Sequence, residues 1–120
     1  MNNLNMQERF LVVSHLKDCE QNRIVGSAHK MEFEKYYKLF LRLLPGIPFY
    51  IVPHVDKNNE YLIFSGLEKK NGKTRFFCKL GSGVLRHEEN VLELHLPDLN
   101  QVYFLQLEPQ SFQFEESSAA

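Results

Sequence analysis

The stretch that most constrains this chain is Lys70-Asn71-Gly72-Lys73, an Asn-Gly pair set between two apolar runs. Both central residues of a type I′ turn need positive φ, which Asn and Gly accept at little cost, so the pair predicts a tight β-hairpin. A two-residue turn also sets the register. Glu68 should lie opposite Arg75, Leu67 opposite Phe76, Gly66 opposite Phe77 and Ser65 opposite Cys78. The first of these pairs has opposite charges, and the Phe77 ring can cover the bare backbone at Gly66.

A second hairpin precedes it, with strands over 49–55 and 61–67 and a turn through Asp56-Lys57-Asn58-Asn59-Glu60. A loop of two or four residues gives one parity, and parity assigns the faces. One face of the three-stranded meander then carries Phe49, Ile51, Pro53, Val55, Leu62, Phe64 and Phe77, with Arg75 and Lys79 at its rim. The other carries Tyr50, Val52, His54, Ile63, Leu67, Phe76, Cys78 and Leu80. Neither reads as solvated, so each face requires a cover.

One cover is a helix over 28–44. Ser27 is an N-cap candidate, Phe33, Tyr36, Tyr37, Phe40, Leu43 and Leu44 recur at three- and four-residue intervals, and Pro45-Gly46-Ile47-Pro48 stops the run. A second cover is the N-terminal segment, read as a helix over 6–20 from Met6, Phe10, Val13 and Lys17. Phe10-Leu11-Val12-Val13 also suits a strand, and the competing reading pairs 9–16 with 23–28 as a hairpin. Further on, Gly81-Ser82-Gly83 reads as a flexible bend. Residues 91–96 alternate, with Leu92, Leu94 and Leu96 on the buried side, and 102–107 is apolar on both faces.

These elements predict an α+β domain over 1–109, an antiparallel meander sheet of about five strands packed against the 28–44 helix, followed by a polar tail over 110–120. The two cysteines show no CxxC spacing, which argues against a disulfide scaffold or zinc module and fits a reducing compartment. No apolar run approaches the roughly 20 residues of a helical membrane span, so the chain reads as cytoplasmic, with no membrane partner.

The net charge of −1 hides an asymmetry. Residues 57–86 carry seven basic and two acidic side chains, whereas 87–120 carry no basic and seven acidic ones. A basic patch of this kind suits an acidic partner, although mixed surface charge also serves solubility.

The chemistry-bearing residues do not assemble into a motif. His15, His29, His54, His87 and His95 fall in no HExxH or Cys/His spacing, Gly81-Ser82-Gly83 is not a nucleophile elbow, and no phosphate-cradling glycine loop is present. No metal, no cofactor and no catalytic residue follow. The reading is a non-catalytic protein-interaction module, a small adaptor, chaperone or immunity-type protein. It would bind another protein or a second copy of itself through a sheet face or edge that includes Phe49, Ile51, Phe64, Arg75, Phe77 and Lys79. One alternative is a nucleic-acid-binding domain built on the basic and aromatic hairpin 64–79. Another is an enzyme whose site gathers scattered residues around His54 and Cys78.

Overall fold

The computed structural model of the chain describes residues 8–16, 24–31 and 35–109. Eight strands follow one another: β1 (Arg9–Val13), β2 (Ile24–Met31), β3 (Tyr36–Leu41), β4 (Pro48–Pro53), β5 (Glu60–Lys70), β6 (Lys73–Arg86), β7 (Val91–Leu96) and β8 (Gln101–Gln106). Each pairs antiparallel with the next, and β8 returns to β1 through Val12 opposite Leu105 and Val13 opposite Phe104. The result is a closed up-and-down barrel, which leaves its body without a free sheet edge.

Period-two alternation builds the interior. Val12, Leu39, Ile51, Ile63, Leu92, Leu94 and Leu105 point inward and are fully buried. An eight-stranded barrel is just wide enough for side chains to fill or for one small ligand to occupy. Here the large aliphatic residues fill it, helped by small inward residues on two diametrically opposite strands, Gly26 and Ala28 on β2 and Gly81 and Gly83 on β6. At Gly81 the fit is closest: a Cβ there would stand 2.1 Å from the His95 carbonyl oxygen on the neighbouring strand.

The fold is therefore all-β, and the α+β expectation fails. The 28–44 segment is not a helix. Its residues enter β2 and β3, with Ser27 inside β2 opposite Phe40. Tyr37, Leu39 and Leu41 face the interior while Tyr36, Lys38 and Phe40 face out, and aromatic and branched side chains suit that pleated arrangement. Within 6–20, the described part holds strand β1 rather than a helix, paired with β2 from Arg9 opposite His29 to Val13 opposite Ile24. That is the competing hairpin reading, and it adds two strands. The rest of that helix, and the tail over 110–120, lie outside the described residues.

Two local expectations are also corrected. The β4–β5 connection pairs Ile51 with Ile63 and Val52 with Leu62, and the His54 N–H donates to the Glu60 carbonyl at 2.9 Å, closing a loop over 55–59. That loop has odd length, so the faces reverse relative to the expected parity. Ile63 joins Phe49 and Ile51 inside, while Leu62 and Phe64 share the outer wall with Tyr50 and Val52. Gly81-Ser82-Gly83 is not a bend but part of β6, with both glycines buried. The irregularity falls just before it, where Ile63 faces Gly81 and Phe64 faces Lys79, leaving Leu80 as an extra residue.

Candidate binding surface

Beyond that bulge the β5–β6 hairpin leaves the barrel's hydrogen-bonded wall. β4 pairs with β5 only from Tyr61 to Phe64, and β7 pairs with β6 only from Ser82 to Arg86. Among the described residues, 65–70 and 73–80 are thus paired across the hairpin alone, as a ribbon with two open outer edges. The Asn-Gly turn is as expected, with φ of 53° at Asn71 and 76° at Gly72. The register follows: Glu68 opposite Arg75, Leu67 opposite Phe76, Gly66 opposite Phe77. Ser65 and Cys78 do not themselves pair, but the pairs on either side, Phe64 with Lys79 and Gly66 with Phe77, keep the expected register, and Cys78 has a φ of 63°.

The ribbon carries Lys69, Lys70, Lys73, Arg75 and Lys79 against a single acid, Glu68. Arg75 bonds Glu68 at 3.2 Å and lies 5.7 Å from the centre of the Phe77 ring. Phe77 in turn covers Gly66 so closely that a Cβ there would fall 2.3 Å from the ring. Lysines along an open edge discourage pairing with another strand, which leaves the ribbon's charge as its more usable property.

An aromatic cluster ties the ribbon to the wall. Phe76 sits with ring centres 5.1 Å from Tyr36, 5.9 Å from Tyr50 and 5.8 Å from Phe64. Tyr36 and Tyr50 face outward by strand parity yet are buried, and Phe76 is part of what covers them. The bulge re-aims the hairpin to make this contact possible.

The charge continues from the ribbon onto the wall. Strand register aligns Arg9, His29, Lys38, Tyr50, Phe64 and Lys79 in one outer row across six strands. His29 stands between Arg9 and Lys38, and its Nδ1 is buried with no hydrogen-bond partner among the described residues. Burial pushes its pKa below the ordinary value, Arg9 and then Lys38 push the same way, and the Glu8 backbone opposes them. On the acidic side of the barrel, Arg86 bonds Glu93 at 2.9 Å and Glu89 at 3.2 Å, and His95 Nε2 lies 2.8 Å from Glu93. Those charges are locally matched.

The six residues expected to form a binding face separate in the structure. Phe49 and Ile51 are inside the barrel at 6% and 0% exposure. Phe64 is on the outer wall beneath Phe76, and Arg75, Phe77 and Lys79 are exposed on the ribbon. Sequence reasoning missed Arg9, His29 and Lys38, because their alignment depends on pairing between strands that it read as helices. The only trace of a period of two in 36–41 is Lys38 among apolar neighbours, which is too little to find them.

His54 and Cys78 were expected on one face. His54 Nδ1 accepts the Asp56 N–H at 3.1 Å within the β4–β5 loop, where His54 is bonded beside Glu60. Cys78 is an exposed free thiol on β6, on the ribbon side of the bulge at Leu80, flanking the Phe64 to Gly66 part of β5. At the usual strand rise of about 3.3 Å per residue, five residues of β5 hold them roughly 16 Å apart along the strand. Among the described residues no group of three His, Cys, Asp or Glu side chains is arranged to hold a metal ion.

No protein-family model matches the chain, and comparison with curated proteins and with solved structures finds no match.

Proposed function

We propose that this protein is a non-catalytic binding module that engages an acidic protein partner through the β5–β6 ribbon and the adjoining Arg9–His29–Lys38 row. The observation that carries this is the ribbon itself, a segment outside the barrel's pairing with five basic side chains and one acidic one. The packed interior supports the same reading, since it leaves the outer surface as the place for a partner. Phe49 and Ile51 are buried inside the barrel, so the proposed interface uses Arg75, Phe77 and Lys79 of the ribbon without them.

Nucleic acid is the less favoured ligand for this surface. A single-strand binder needs several exposed rings for stacking, and here Phe76 packs against Tyr36, Tyr50 and Phe64, which leaves Phe77 as the exposed ring of the ribbon.

The proposal includes a water-facing barrel in the cytoplasm. In its support, the interior is aliphatic and the outer wall carries Arg9, Lys38, Arg86 and Glu93 among its apolar side chains, whereas a membrane barrel keeps an apolar outer band and a polar interior. The free, exposed Cys78 fits a reducing compartment. No described helix is long and apolar enough to cross a membrane, which does not bear on strands.

The test is affinity capture with the tagged full chain, alongside the Lys70→Glu, Lys73→Glu, Lys79→Glu triple variant. A protein with an acidic surface should be retained by the wild type and lost from the variant, with unchanged circular dichroism. Retention of the same partners by both, or capture of nucleic acid alone with a steep salt dependence, overturns the proposal.

A further inference from the structure

A pocket of ≈ 430 Å³ opens at one end of the barrel, away from the residues used above. Its described lining comes from strand ends and adjoining residues: Ser14 and His15 after β1, Ile24 and Val25 at the start of β2, Arg42 and Leu43 after β3, and Gln101 and Tyr103 in the first half of β8. Barrel mouths are favoured places for small-ligand sites, and the volume lies within the roughly 300–1,000 Å³ such sites occupy. Tyr103 belongs to the buried core, so the pocket reaches down to the packed interior.

Its chemistry is one-sided. Ile24 and Leu43 are large apolar side chains left 38% and 68% exposed, and both line this pocket. Among the described residues the lining holds one permanent cation, Arg42, together with His15, and no carboxylate. No described residue forms an ion pair with Arg42, while its backbone N–H is fixed to the Val25 carbonyl at 2.8 Å. A fixed base carrying an unmatched guanidinium beside two exposed aliphatic groups matches a molecule with an anionic head and a short apolar body.

We infer that this mouth is a binding site for a small amphipathic carboxylate. The Arg42 fork takes the carboxylate, Ser14 and Gln101 offer further hydrogen bonds to it, and the aliphatic part lies along Ile24, Val25 and Leu43. This site is independent of the ribbon, and neither reading depends on the other.

The test is an NMR titration of the full chain with octanoate, with butyrate and octanol as probes that lack the tail or the charge. Octanoate should shift the amides of Val25, Arg42, Leu43 and Gln101 saturably and leave those of 66–77 unmoved. Butyrate and octanol should each bind about tenfold more weakly, and Arg42→Gln should cost octanoate a similar factor. Equal binding of octanol and octanoate by the wild type overturns the carboxylate assignment, whatever the variant does. Shifts that never saturate, or that spread over the barrel surface, overturn the site.

Discussion

The barrel wall and the distal β5–β6 ribbon are one continuous piece of hydrogen-bonded chain, yet different forces hold them. In the wall every strand has two neighbours, and its inward side chains share a closed aliphatic interior. In the ribbon each strand has one neighbour, and its anchorage is a turn, a bulge and the Phe76 ring. A two-stranded ribbon alone is marginal in water, so the aromatic cluster is what makes this one a defined surface. The difference places stability in the barrel and leaves the ribbon free to carry charge.

The comparison can be broken first at the interior. Leu94→Ala removes a fully buried side chain and should cost about 3 kcal/mol, read as a lower urea midpoint for the whole domain. A loss confined to one strand pair would show that the barrel is not a single cooperative core. Next comes Gly81→Ala, whose new Cβ meets the His95 carbonyl, a backbone atom that can yield only by separating β6 from β7. Its cost should be about 2 kcal/mol, with amide exchange fastest at that junction.

At the junction of the two regions, Phe76→Ala should cost about 1 kcal/mol globally while abolishing the ring-current shifts of Tyr36 and Tyr50. A global loss as large as that of Leu94→Ala would merge the ribbon with the core. The charged triple variant Lys70→Glu, Lys73→Glu, Lys79→Glu should change stability by less than about 0.5 kcal/mol, since these side chains are exposed.

A pH experiment sharpens the wall side. His29 has a folded pKa below its ordinary 6.5, so the unfolded chain takes up its proton first as the solution is acidified. Its contribution is complete above pH 6.5 and declines as the pH falls through the interval down to the folded value. Urea midpoints measured from pH 7.5 to 5 should therefore fall less steeply in His29→Leu than in the wild type.

The parts legible in sequence were those governed locally. Asn71-Gly72 dictates its own turn, the turn dictates the Glu68–Arg75 and Gly66–Phe77 pairs, and the 91–96 alternation appears as a strand with Leu92, Leu94 and Leu96 inward. β3 was hidden because both of its faces are apolar. Tyr36 and Phe40 face outward, Tyr36 against Phe76 and Phe40 beneath the Lys38 ammonium, so the period of two is lost and a helical spacing emerges. Closure was hidden for a different reason: β8 meets β1 through only two residue pairs, at long sequence separation, which no local pattern announces. The charged row on the wall was unreadable for the same cause. Of the binding surface, the ribbon's basic residues were visible and their continuation onto β1–β3 was not.

The division between wall and ribbon is tested most directly by residue-resolved hydrogen exchange on the full chain. The account predicts that inter-strand amides of β1, β4, β7 and β8 exchange only through global unfolding. Amides linking 65–70 to 73–80 should exchange through a lower-energy opening that leaves the barrel intact. Equal protection across ribbon and wall, with the same denaturant dependence, would contradict it.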